Sequence, residues 1–293
     1  MIWFTLATCS ALLSATSAVL QKKILFRLNA LEFSFSISLV IVIFTLFIPF
    51  SMDVTAIPLS ALSIIVVKSI LGASAFLLVM LSLQHNQISS ALPLLGLTPA
   101  AAALLSLVML GEGLNSSEWI GIGLMIAGCY LLERRVSSKP LQPFGSMVRT
   151  KNYYYIYGAV GLFAISSVFD KLLLSGMRIH PLIILFYQHI VYVLLFTVAI
   201  LIRRISLRDV IQKSAAQLPL IIIVALLTVA YRFTQLEATK LAPVALVLAV
   251  KRTSILYASL FGGKIFSEER LPLKLIGALL IVTAGFLILK NVM

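Results

Sequence analysis

The sequence predicts an all-α polytopic membrane protein, with ten transmembrane helices set as two inverted five-helix repeats, and three observations carry that prediction. Hydrophobic residues fill 61% of the 293 positions and charged ones only 11%, giving a mean hydropathy of +1.09, far above the apolar share of a water-soluble domain. The apolar residues fall into ten runs, most close to the roughly 20 residues that cross a bilayer as a helix. Polar landmarks of the first five runs recur in the last five. An odd number of spans per repeat turns the second copy upside down, an arrangement that builds midplane sites in many secondary transporters.

The first run, about 2–20, closes on Lys22, Lys23 and Arg27. Because Met1-Ile-Trp-Phe lacks a basic leader, it reads as a first span rather than a cleaved signal. Run two covers 31–50 and turns at Asp53 and Pro58; run three, 59–83, carries Lys68 and stops at Gln84-His85-Asn86-Gln87. Run four, 88–110, ends at Gly111-Glu112-Gly113, and run five, 117–132, is short and leans on Trp119 before Arg134 and Arg135. Residues 136–152, with Pro140, Pro143 and Gly145, form a basic linker between a first repeat at 1–135 and a second at 153–293.

The second half opens on an aromatic belt, Tyr153-Tyr154-Tyr155, and its first run ends in Asp170-Lys171. Runs seven, eight and nine cover about 181–202, 218–236 and 241–263, and run ten covers 271–289. The repeat rests on specific matches. Glu112 precedes Gly121 by nine residues and Glu268 precedes Gly277 by nine, with Gly128 and Gly285 further on after a one-residue slip. Leu20-Gln21-Lys22 answers Phe169-Asp170-Lys171, and Ala30-Leu31 answers Pro181-Leu182.

Run nine holds the strongest functional signal. Lys251 and Arg252 lie near its centre, where each cation costs about 2.5–3.5 kcal/mol on insertion scales and therefore needs a partner, a wet cavity or a task. Neighbours on a helix point about 100° apart, so one cation is expected to face a ligand, Lys251, while Arg252 pairs with an adjacent helix. Arg232 shares a broad face of run eight with Tyr231 and Gln235, and Lys68 has no acid in its own run. Gln188 and Tyr187 are polar groups in a buried-looking run. Asp170, beside Lys171 and on one face with Ser166 and Ser167, is the carboxylate best placed for a coupled proton step; Glu237 is the other embedded acid. For each charged candidate the bland alternative is a structural ion pair or snorkelling to the interface. Glu112 and Glu268, at helix ends beside glycine, read as loop chemistry, and Pro93, Pro99 and Pro243 loosen runs four and nine.

Other function classes find little support. His85, His180 and His189 lack metal-ligand spacing, Cys9 and Cys129 form no disulfide framework, and there is no HExxH, GxSxG or phosphate-binding loop. No enzyme and no cofactor is expected. The net charge of +13 punctuates apolar runs as membrane-end cations do, which argues against a nucleic-acid partner.

Ala91-Leu92-Pro93-Leu94-Leu95-Gly96-Leu97-Thr98-Pro99, then Leu110-Gly111-Glu112 and Trp119-Ile120-Gly121, together with Leu260 to Glu269 and Leu275-Ile276-Gly277-Ala278, resemble the drug/metabolite transporter superfamily, in particular its ten-helix EamA-type members. The resemblance implies a central cavity lined by helices one, three, four, six, eight and nine, and export or exchange of small metabolites by alternating access. It also implies a bacterial or archaeal cell membrane. On the spacing of Glu112 to Glu268, Lys251 and Arg252 fall opposite Leu95 and Gly96, so the repeat is neutral in one half and doubly cationic in the other.

The resulting expectation is a secondary transporter of a small metabolite bearing an anionic group, with a proton or counter-solute as coupling partner and membrane lipid around it. A flippase for an anionic lipid carrier is the alternative; a passive scaffold would not keep such costly charge. The sequence leaves the oligomeric state open. Orientation is in conflict. Outside the five embedded cations, fifteen Lys and Arg follow odd-numbered runs, whereas Arg178, Lys240 and Lys290 alone follow even ones. The positive-inside rule thus puts both termini outside, and the resemblance puts them inside.

Overall fold

The computed structural model describes residues 2–55, 57–111 and 154–267, with isolated positions between 116 and 127 and between 276 and 283. Glu112, Glu268, the 136–152 linker and most of runs five and ten lie outside the described residues. Among those described there is no strand, and seven helices are long and apolar enough to span a membrane.

Helix α1 covers Ile2–Ile24, α2 Ala30–Thr45, α3 a single turn at Ile48–Ser51, and α4 Leu59–His85. Asn29 starts α2 with a capping box: its side chain accepts from Glu32 N and the Glu32 carboxylate accepts from Asn29 N, both at 2.9 Å. Such a cap is worth about 1 kcal/mol, because it satisfies amides that the helix cannot. In the second half α7 covers Tyr154–Lys171 and runs into a π-turn at Leu172–Gly176, α8 covers Pro181–Ile202, α9 is a surface helix at Leu207–Ala215, and α10 covers Leu218–Leu241.

Runs four and nine are not continuous helices, which corrects the reading of each as one straight apolar span. Run four divides into α5 (Ile88–Leu94), a 3₁₀ turn at Leu95–Leu97 and α6 (Thr98–Leu110). Pro99 lies in the first turn of α6, where its missing N–H is tolerated. It leaves Leu95 O to the Thr98 hydroxyl, which donates at 2.7 Å. Run nine divides into α11 (Val244–Lys251) and α12 (Ser254–Ile265). Thr253 N bonds Val250 O and Ile255 N bonds Arg252 O, the tighter i−3 pattern. The two cations therefore close a half-helix instead of occupying the middle of a whole one.

The interruptions fall at matched places. Val244 starts α11 156 positions after Ile88 starts α5, Ser254 follows Thr98 by the same 156, and Leu241, ending α10, follows His85, ending α4, by 156 again. Packing follows the same pairing. α1 packs most extensively on α10 and α4 on α7, α2 meets α8, and α5 and α6 meet α12 and α11 respectively. The crossing of α5 and α12 is close at Gly262, where a Cβ would stand 2.7 Å from Ile88 Cγ2, as small-residue packing in membranes requires.

Each half also fastens its third long helix with a lysine from its first. Lys22 Nζ donates to Leu83 O and, at 2.9 Å, to Asn86 O at the end of α4. Lys171 Nζ donates to Thr239 O at 3.0 Å and Ala242 O at 2.8 Å at the end of α10. On the surface α9 is tied to α2 by Lys213 Nζ on Glu32 Oε1 at 2.8 Å and by the Ser36 and Ser214 hydroxyls at 2.6 Å.

Candidate functional site

The long helices enclose a cavity of about 160 Å³. Its polar wall is built from α7, α8, α10 and the break between α11 and α12. Asp170, 2% exposed, is the acid of this wall. Its Oδ1 lies 2.5 Å from Lys68 Nζ, and its Oδ2 accepts from Arg232 Nη2 at 3.3 Å. Gln188 Oε1 accepts from the same two cations, at 2.7 Å from Lys68 and 3.2 Å from Arg232. Arg232 Nη1 donates onward to Gln235 Oε1 at 3.1 Å, and Lys251 Nζ donates to that same oxygen. Lys251 Nζ also stands 4.6 Å from the Tyr231 ring centroid, a cation–π contact.

The wall thus joins Lys68, Arg232 and Lys251 through one carboxylate and two amide carbonyls. Arg252 completes it. Among the described residues, Arg232, Lys251 and Arg252 line the cavity with Asp170, and Lys68 stands behind that carboxylate. Cations gathered at low effective dielectric exert a strong field on an incoming ion. The geometry can receive an anion and release Arg232 from Asp170 as it does so.

Of the expected site residues, Lys251, Arg252, Arg232, Tyr231, Gln235, Gln188 and Asp170 come together on the cavity. Lys68 stands behind Asp170, fully buried, as a support. The acid that meets Arg232 is Asp170 and not Glu237, because α7 and not its own helix turn presents the carboxylate. Lys251 and Arg252 both line the cavity, and Lys251 is engaged with α10 through Gln235 and the Tyr231 ring. Tyr187 points elsewhere, donating to Val54 O at 3.0 Å. Lys171 is occupied as a helix-end donor on α10. His189, Tyr192, Thr228 and Gln21 also line the cavity and were not singled out as ligands. Tyr192 stands four residues after Gln188 and three after His189 on α8, and that spacing was the available signal.

Residues 1–134 match the model of the EamA-like transporter family. A crystal structure of a protein is similar along 98% of this chain and 94% of that one, with a TM-score of 0.60 and 16% identity, a likeness of fold. No curated protein matches the chain.

Proposed function

From an integral, multi-pass membrane protein whose first half is EamA-like, and so of the drug/metabolite transporter type, we propose a secondary transporter that moves a small anionic metabolite by alternating access. The observation that carries the reading is the gathering of Arg232, Lys251 and Arg252 on one cavity wall, where Asp170, backed by Lys68, is the carboxylate among the described lining residues. Lys251 and Arg252 receive the anion at the end of α11. Arg232 turns from Asp170 to the anion. Asp170, still held by Lys68, then becomes the group that takes and returns a proton.

The framework in this proposal is two inverted repeats, residues 1–135 and 153–293, joined by the 136–152 linker, with ten spans in all. Support comes from the constant 156-position spacing of helix starts and breaks and from the exchanged packing of α1 on α10 and α4 on α7. Rocking of one repeat on the other would expose the cavity to each side in turn. The excess of cations after odd-numbered runs places those connections and the linker in the cytoplasm; labelling of a tagged linker from outside intact cells would reverse that orientation.

Purified protein in liposomes tests the reading. Counterflow of a panel of small anions is expected, with neutral and cationic analogues excluded, and Lys251→Ala is expected to abolish it. Transport of neutral or cationic solutes with no anion moved would overturn it.

A further inference from the structure

The ion network leaves one edge of the cavity unused, on α8. His189 is 3% exposed and Tyr192 7%, and both line the cavity with their rings 5.3 Å apart. His189 Nδ1 lies 2.9 Å from Leu185 O, one turn back on its own helix. A backbone carbonyl only accepts, so Nδ1 carries the proton and the neutral ring offers Nε2 as a lone-pair acceptor. Among the described residues no side chain donates to that nitrogen. The ring is also held in place. Tyr192 packs beside it, and the Tyr192 hydroxyl is seated against Gly72, where a Cβ would come within 2.3 Å of Oη. An oriented, unused acceptor on a cavity wall is an arrangement that disfavours a ligand unable to donate to it.

We propose that His189 Nε2 accepts a hydrogen bond from a hydroxyl of the substrate, so that the protein selects hydroxylated small anions over their deoxy counterparts. The donor is neutral, because Arg232 and Lys251 in the same cavity repel an ammonium group. This rests on the anion reading above and adds a second contact to it. His189 is then a specificity residue, and Tyr192 and Gly72 position it.

The test uses the full-length protein in lipid nanodiscs and three matched pairs of probes: lactate and propionate, 3-hydroxybutyrate and butyrate, malate and succinate. Titration calorimetry is expected to show the hydroxylated member of at least one pair binding roughly threefold to tenfold more tightly, the worth of one buried hydrogen bond. His189→Leu should bring that ratio to about one without weakening the deoxy member, and His189→Gln, which keeps an acceptor, should retain part of it. His189→Phe preserves a ring and serves if the leucine variant does not fold. Anion binding that depends on Lys251 but shows no hydroxyl preference, or a preference unchanged in the acceptor-free variants, overturns this inference alone. No saturable binding of any anion overturns the anion reading with it.

Discussion

Lys22 and Lys171 do the same work in the two halves of the chain: each leaves its first long helix and closes the end of its third, Lys22 on Leu83 O and Asn86 O, Lys171 on Thr239 O and Ala242 O. The carbonyls at a helix C-terminus have no partners within the helix, and a lysine satisfies both their hydrogen bonding and their partial charge. Lys22→Met and Lys171→Met are each expected to lower stability by about 1.5–3 kcal/mol, the range for a hydrogen bond to a charged group. Thermal melting in detergent measures that loss. The affinity for a bound anion should be unchanged, and a loss of affinity in Lys171→Met at full stability would return that lysine to the coupling role expected from its place beside Asp170.

Asp170 holds two cations, so removing it should be worse than removing either of them. Asp170→Ala strands Lys68 and Arg232 and is expected to cost about 3–5 kcal/mol. Adding Lys68→Met to Asp170→Asn should recover part of that, since Arg232 keeps Gln188 and Gln235. Melting temperatures of Asp170→Asn, Lys68→Met and the double variant decide it; a double loss equal to the sum of the two single losses would show that Lys68 and Asp170 are not coupled.

Lys251 is tied to Gln235 and to the Tyr231 ring. Tyr231→Leu removes the ring contact along with the phenol's hydrogen bond with Thr228, and is expected to weaken anion binding modestly, by about 1 kcal/mol or less, through a less well-placed ammonium. Lys251→Ala should weaken it by tenfold or more. Calorimetry on both variants checks the order, and a larger effect from Tyr231→Leu would place the ring itself against the ligand.

The tie between α9 and α2 is a different kind of contact, with one end in solvent. The Lys213 side chain is 58% exposed and that of Glu32 4%, and the Glu32 carboxylate raises the Lys213 pKa above its ordinary 10.5 by hydrogen bond and charge. A raised lysine stabilises the fold fully below its unfolded value and loses that contribution as pH rises through the folded one. The melting difference between wild type and Lys213→Met should therefore stay constant near neutral pH and vanish only above the usual lysine range. Glu32→Ala also removes the capping box and should cost about 1–2 kcal/mol.

Much of the frame was legible because membrane physics writes it in composition: the apolar lengths of α1, α4, α8 and α10 could hardly be anything else. The match of Gln21-Lys22 to Asp170-Lys171 was legible as a pattern, but its meaning was not, since the carbonyls that both lysines reach lie on another helix. The same limit applies to Asp170. Its neighbour in sequence is Lys171, whereas its partners, Lys68 and Arg232, come from runs three and eight. The break after Lys251 left no proline in the sequence to announce it, and its counterpart at Leu95–Leu97 became visible only as a tightened turn before Pro99.

Matched breaks with unmatched residues have a consequence for how such a molecule could change its cargo. Leu95 and Gly96 stand where Lys251 and Arg252 stand in the other half, and Gln21 stands where Asp170 does, while the capping lysines beside them are the same. In the proposed transporter, folding and motion would draw on features present twice, and recognition on features present once. A new specificity could therefore be engineered, or drift into being, through a handful of positions in residues 153–293, leaving the machinery that moves the load untouched.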